Sequence, residues 1–224
     1  MQPAEIYAVC RTRLLELAPT LSEDDRDARL PATPPWTVVD GYRHLAGVCA
    51  DVLDGVMDRA GTPSWTSVQV VSRAKRSLAA VCDEWSARAP ALEVKMAEGG
   101  DSMAFLAFDV WTHEQDIRDA AEVGAVRDDE LPPALAALAL QTFAPRYAKS
   151  GAPALEVVVD DGPPVVLGAG PPAVALGTSA YELLRILFGR RSREQVGEAA
   201  WTGDNTRALD ALHIFDFPLH PIHD

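Results

Sequence analysis

The sequence predicts an α+β protein in two parts, a helical bundle over residues 1–150 followed by a small α+β domain over residues 151–224. Apolar residues recur at helical spacing through the first part, whereas Val-rich runs separated by Asp-Gly-Pro and Gly-Pro turns follow Gly151. A length of 224 residues suits one large domain or two small ones, and a 48% hydrophobic composition is that of a folded protein.

Five helices are predicted in the first part, and Gly and Pro residues mark their ends. Their expected bounds are residues 6–17, then 38–61 behind a Thr37 cap, 66–89 before Pro90, 99–124, and 133–143. In the second part we expect three strands within residues 154–178, a short helix over 181–188, a fourth strand over 199–202 and a last helix over 204–212.

The charge balance excludes several classes of partner. The net charge is −13, from 33 Asp+Glu against 20 Lys+Arg, so no basic stripe exists for nucleic acid or for an anionic membrane surface. No apolar run approaches the ~20 residues of a membrane span, and the first residues lack a signal-peptide pattern. Three scattered cysteines, Cys10, Cys49 and Cys82, are expected to be buried thiols. We therefore expect a cytoplasmic protein.

The most informative residues are Asp109 and His113, four positions apart on the fourth predicted helix. Side chains at i and i+4 lie on one helix face and can share one divalent ion. His44, on a flank of the second helix, is the expected third ligand. Two histidines and a carboxylate suit Zn²⁺, or another divalent metal such as Fe²⁺ or Ni²⁺. Spacing alone leaves two alternatives: an ordinary surface helix pair, and a solvated His44.

Further polar residues permit more than one interpretation. Asp116 can orient a ligand imidazole or act as an acid or base, although solvated helix charges are the simpler interpretation for it and for Glu114. Arg190 and Arg191 follow Gly189 either as part of a helix C-cap or as an anion-binding corner. The five tryptophans are expected to serve packing.

The C-terminal histidines allow a second, weaker metal hypothesis. His213, His220 and His223 lie near the chain end, but neighbouring prolines favour a loosely held extension. The sequence lacks a Gly-x-Gly-x2-Gly motif and a Gly-x-Ser-x-Gly motif. Nucleotide cofactors and a serine-hydrolase mechanism therefore have no sequence support.

Three segments together resemble the mycothiol-dependent maleylpyruvate isomerase family of actinobacteria: PPWTVVDGYRHLAG, DVWTHEQDIRDA and TSAYELLRILFGRRSREQVGEAAWTGD. The resemblance covers nearly the whole chain. It implies an N-terminal DinB-like four-helix bundle joined to a small domain that resembles sterol-carrier proteins. It also implies zinc ligands at His44, Asp109 and His113, with Asp109 standing where these isomerases usually have Glu.

The resemblance further implies mycothiol as thiol cosubstrate and a small-molecule electrophile as substrate. A thiolate would add to a double bond, the resulting single bond would rotate, and loss of the thiol would leave the trans isomer. S-transferase relatives would stop at the adduct. Arg190, Arg191 or Arg43 would supply a cation for substrate carboxylates, Asp116 is the expected acid, base or orienting group, and Arg43 is the candidate for cosubstrate binding.

Two other classes of function remain open at this stage. A non-catalytic metal- or small-ligand-binding protein would hold an apolar ligand in the second domain. A homodimeric structural protein is the third hypothesis, although no exposed heptad motivates it. The chain is expected to be a monomer or a homodimer.

Overall fold

The computed structural model describes residues 1–223 and divides them into two compact units, Met1–Ala125 and 126–223. The first unit is helical, and the second combines helices with a four-stranded sheet, which confirms the α+β class. Within the described residues, no helix is both long enough and apolar enough to span a membrane.

Six helices form the first unit as far as the structure describes it, and the longer ones pack against one another. Their bounds are α1 Pro3–Leu17, α2 Glu23–Asp27, α3 Val38–Asp54, α4 Pro63–Arg73, α5 Leu78–Gly99 and α6 Ala104–Ala120. Helix α1 packs on α5 and α6, and α3 packs on α4, α5 and α6. This packing brings α3 and α6, which carry the predicted ligands, next to each other.

Helix α3 begins as the sequence predicts and ends earlier. The Thr37 hydroxyl accepts a hydrogen bond from the Asp40 amide at 3.3 Å, and the Asp40 carboxylate accepts one from the Thr37 amide at 3.1 Å, a capping box. Gly55, with φ +75°, ends the helix, so the predicted end at Gly61 is wrong. A glycine in the left-handed conformation can end a helix, and the sequence contains two candidates, Gly55 and Gly61, without showing which of them does so.

The single helix predicted over residues 66–89 is instead two helices, α4 and α5. Ser77 caps α5 by accepting a hydrogen bond from the Ala80 amide. Pro90, the predicted stop, lies inside α5 on its exposed side. Buried residues continue past it at Leu92 and Met96, so core packing outweighs the ~3 kcal/mol cost of an interior proline.

The second unit is built around a mixed sheet. Its elements are α7 Leu131–Lys149, β1 Leu155–Val159, β2 Val165–Leu167, β3 Val174–Thr178, α8 Ala180–Leu187, α9 Arg193–Gly197, β4 Ala200–Thr202 and α10 Thr206–Leu212. The strand order is β2-β1-β3-β4, with β1 and β3 parallel and the other pairs antiparallel. The four strands that the sequence predicts are all present, whereas α9 was not predicted.

Helix α7 packs on α8 and β2, and the compact second unit therefore includes it. The sequence grouped this helix with the bundle and placed the boundary near residue 150. Composition changes at Gly151, but composition does not reveal which partner a helix packs on.

Candidate metal centre

Three of the predicted site residues come together in the first unit. His44 Nε2 lies 3.5 Å from either carboxylate oxygen of Asp109, and His113 Nε2 lies 3.7 Å from Asp109 Oδ1. One ligand atom from each residue lies within 4.8 Å of the other two. The two imidazole rings meet edge to face with centroids 4.9 Å apart. The carboxylate thus stands between two imidazole nitrogens.

The local structure explains this convergence. Asp109 and His113 are one turn apart on α6, so their side chains leave the same helix face. Helix α3 packs beside α6 and supplies His44 from its own buried face. His44 is 3% exposed, so the alternative of a solvated histidine is wrong.

The spacing of the three donors fits a small divalent ion. Two ligand atoms bound to one tetrahedral zinc at about 2.05 Å lie about 3.3 Å apart. The two histidine–carboxylate distances, 3.5 and 3.7 Å, exceed this value by a few tenths of an ångström, and the ligand nitrogens of the two imidazoles lie within 4.8 Å of each other. Two imidazole nitrogens and one carboxylate are also the donor set of catalytic zinc and of non-haem iron sites with open coordination positions.

The ligands differ in exposure. The His44 and His113 side chains are nearly buried, whereas the Asp109 side chain is 20% exposed. Asp109 is therefore the most solvent-accessible of the three side chains.

Trp36 and Gln69 also lie at this site, although neither residue has a metal-related signal in the sequence. The Trp36 ring lies 4.9 Å from the His44 ring and 5.9 Å from the His113 ring, between centroids. Gln69, on α4, is 1% exposed, and its Oε1 lies 2.7 Å from His44 Nδ1. Trp36 was expected only to serve packing. Gln69 lies in the segment where the sequence predicts one helix and the structure has two.

Asp116 is buried at 1% exposure, and its Oδ2 lies 3.4 Å from His113 Nδ1. Glu114 is fully buried and accepts a hydrogen bond from Arg118 Nε at 3.0 Å. Burial raises the pKa of Glu114 above its ordinary value, although hydrogen bonds from Cys10 and Arg118 oppose the shift. The interpretation of these two carboxylates as solvated helix charges is therefore wrong.

Arg43 is held by groups of its own unit. Its Nη1 donates to Asp40 at 2.8 Å, and its Nη2 donates to the carbonyls of Ala74 and Arg76 at 2.9 and 3.4 Å. These contacts tie α3 to the segment after α4. Its role in binding a cosubstrate stays a prediction.

Arg190 and Arg191 lie in the second unit and are both nearly buried. Gly189, with φ +70°, follows α8 as a helix C-cap, as one of the two sequence interpretations predicts. Arg191 makes a bidentate ion pair with Glu182, with both N–O distances at 2.7 Å, and Arg190 Nη1 donates to the Phe188 carbonyl at 2.6 Å. Their role as substrate-binding cations stays a prediction.

The C-terminal histidines do not form a second metal group within residues 1–223. His213 instead lies 2.7 Å from the Phe215 carbonyl through its Nδ1 and packs on the Phe217 ring. The hypothesis of a second metal site therefore has no support in the part of the chain that is described.

The cysteines are free thiols in the interior or near it, as expected. Cys10 and Cys49 are buried and Cys82 is half-buried. Burial raises the pKa of both Cys49 and Cys82 to about 11. Neither is a ready source of thiolate at neutral pH.

Comparison with known proteins gives a similarity in fold. No protein-family model matches the sequence, and no curated protein matches it. Two crystal structures do match, those of the mycothiol-dependent maleylpyruvate isomerase and of a histidine-to-alanine mutant of it. Each aligns with 84% of this chain and 88% of its own chain, at 11% identity and a TM-score of 0.51. At this identity the likeness supports the fold alone.

Proposed function

We propose that this protein is a metal-dependent enzyme that uses mycothiol to transform a small electrophile, as a cis–trans isomerase or as a thiol S-transferase. The observation that carries the proposal is the convergence of His44, Asp109 and His113, whose ligand atoms lie within 4.8 Å of one another. The fold similarity to mycothiol-dependent maleylpyruvate isomerase supports the choice of thiol and reaction class. In the same proposal, the first unit is a DinB-like four-helix bundle and the second is sterol-carrier-like.

His44, Asp109 and His113 would hold the ion, zinc in our proposal. A bound zinc ion supplies a Lewis acid that keeps a thiol deprotonated near neutral pH. Cys49 and Cys82 do not compete for that role, because burial raises the pKa of both thiols to about 11. A cosubstrate thiol is therefore the better source of the nucleophile.

The neighbouring side chains have separate tasks in this proposal. Asp116 orients His113 from the Nδ1 side, where its Oδ2 lies 3.4 Å away. Trp36 forms an apolar wall beside both imidazoles and limits the access of water. Asp109 is one methylene shorter than the Glu of the resembling isomerases, so the ion would lie closer to the backbone of α6.

Arg190, Arg191 and Arg43 are the candidate cations for substrate carboxylates. A chain with a net charge of −13 needs a local positive group to bind a dianionic substrate. The Arg191–Glu182 ion pair would have to open, or share its guanidinium, for Arg191 to serve.

The alternative of a non-catalytic carrier of an apolar ligand has less support. The apolar cavity lined by Leu140, Phe143 and Leu187 in the second unit measures about 10 Å³, room for no more than one water. A larger cleft in that unit, about 450 Å³, is lined by the charged Glu182 and Arg191. Neither suits a sterol or a fatty acid.

Calorimetric titration of mycothiol tests the proposal. Zinc-loaded wild-type protein is expected to bind mycothiol, whereas metal-stripped protein and a His113→Ala variant are expected not to bind it. Incubation with mycothiol and maleylpyruvate, followed by liquid chromatography and mass spectrometry, separates the substrate from an isomer of equal mass and both of them from an S-conjugate. Equal mycothiol binding with and without zinc would refute the proposal, as would binding of an apolar ligand that ignores both metal and thiol.

A further inference from the structure

The two ring nitrogens of His44 face different neighbours, Gln69 at Nδ1 and Asp109 at Nε2. A neutral imidazole carries its proton on either Nδ1 or Nε2, and only the unprotonated nitrogen can bind a metal. His44 Nε2 is the nitrogen that faces Asp109, at 3.5 Å. The metal-binding form of His44 is therefore the one with its proton on Nδ1.

Gln69 lies on the Nδ1 side of that ring. Its side chain can either accept a hydrogen bond from a protonated Nδ1 or donate one to an unprotonated Nδ1. Its side-chain amide offers an oxygen, which accepts, and an NH2 group, which donates. With the oxygen towards His44, Nδ1 keeps the proton. With the NH2 group towards His44, the proton would move to Nε2 and block metal binding.

Asp51 decides which end of the amide faces His44. Its carboxylate can only accept, and its Oδ2 lies 2.8 Å from Gln69 Nε2. The NH2 group must therefore point to Asp51, and Oε1 must point to His44 Nδ1, 2.7 Å away. Because Gln69 is 1% exposed, water does not replace either partner.

We propose that Asp51 and Gln69 are positioning residues that set the tautomer of His44 and so keep Nε2 available for the metal. The inference rests on the proposed metal function. Asp51 is seven residues beyond His44 on α3, about 10 Å along the helix axis, and is not itself a ligand. Its effect on the metal would pass through Gln69.

When no metal is bound, Asp109 favours the other tautomer of His44, the one with its proton on Nε2. Its carboxylate would accept a proton on His44 Nε2, at the longer distance of 3.5 Å. Removal of the Gln69 acceptor is therefore expected to move the proton from Nδ1 to Nε2. The amide hydrogen bond at 2.7 Å is the shorter and stronger of the two.

The first test is nitrogen–proton correlation NMR of the histidine rings in metal-stripped protein at mildly alkaline pH. A His44→Gln spectrum assigns the signal. In wild-type protein we expect a protonated Nδ1 and an unprotonated Nε2 on His44. Asp51→Ala and Gln69→Met are expected to shift the proton towards Nε2. A wild-type His44 with its proton on Nε2 would overturn the proposal, whether or not zinc binds.

The second test is zinc affinity, measured by competition with a chelator. Asp51→Ala and Gln69→Met should weaken binding by on the order of 10–100-fold. Asp54→Ala is the matched control, because it removes the same charge from the same helix, but Asp54 is exposed and pairs with Arg88. Equal losses in Asp51→Ala and Asp54→Ala would show a general charge effect and overturn the proposal. Asp51→Ala changes a half-buried residue and keeps the test usable if Gln69→Met fails to fold.

Discussion

Gly47 creates the space in which Gln69 reaches His44, and its replacement by alanine should disturb both stability and metal binding. A Cβ atom at position 47 would lie 2.4 Å from Gln69 Cβ and 2.6 Å from Gln69 Cγ. Carbon atoms in contact normally keep about 3.5–4.0 Å. Because the backbone fixes the position of Gln69 Cβ, a change of rotamer cannot relieve this contact, and helix α4 would have to move away from α3 by about 1 Å.

The expected cost follows from two opposing effects. Overpacking of a well-filled site costs about 1–3 kcal/mol. Alanine in place of glycine in a helix recovers up to about 1 kcal/mol. We therefore expect Gly47→Ala to lower the free energy of unfolding by about 1–2 kcal/mol, although helix propensity alone predicts stabilisation. Displacement of Gln69 should also weaken zinc binding by about tenfold or more.

Urea denaturation and chelator competition measure the two effects. Gly197→Ala is a matched control, because a Cβ there meets its nearest neighbour, Leu209, at an ordinary 3.9 Å. A Gly47→Ala protein as stable as the wild type, with unchanged zinc affinity, would refute the packing argument. Loss of stability with unchanged affinity would refute the link from Gln69 to His44 and leave the packing argument intact.

Three further predictions concern the thiols, the tryptophan wall and the metal itself. Because burial raises the pKa of Cys49 and Cys82 to about 11, their alkylation by iodoacetamide at neutral pH should be on the order of 100-fold slower in native than in urea-unfolded protein. The rate in native protein should increase as the pH rises towards 11. Mass spectrometry measures both rates, and equal rates in native and unfolded protein would contradict the prediction. Zinc should change the tryptophan fluorescence, because the Trp36 ring lies 4.9 Å from the His44 ring. Trp36→Phe should abolish that change. A change that persists in this variant would show that another tryptophan responds to zinc. Zinc at 100 times its Kd should raise stability by about 2.7 kcal/mol in a thermal melt, and an equal rise in His113→Ala would show binding at another site.

The sequence predicted the convergence of His44, Asp109 and His113 better than it predicted the residues around them. Asp109 and His113 lie four residues apart on one helix, and that relation depends only on helical geometry. For His44 the sequence also left a solvated position open, because nothing in the sequence shows which face of α3 packs on α6. Gln69 could not be predicted at all, since it depends on the turn that separates α4 from α5.

Local rules also failed where tertiary packing outweighs them. Pro90 is a strong stop signal, yet α5 continues through it because Leu92 and Met96 are buried beyond it. Glu114 and Asp116 read as solvated charges, yet both are buried on α6. Buried carboxylates next to a candidate metal ligand are the kind of local inconsistency that functional sites contain.

The stoichiometry of zinc binding tests the central claim most directly. Purified protein is stripped with a chelator, reloaded with excess zinc, freed of unbound ion by gel filtration and assayed by elemental analysis. We expect one zinc per wild-type chain and a near-complete loss in the His44→Ala, Asp109→Ala and His113→Ala variants. Wild-type protein that retains no more zinc than these three variants would contradict the metal centre and the enzymatic function built on it.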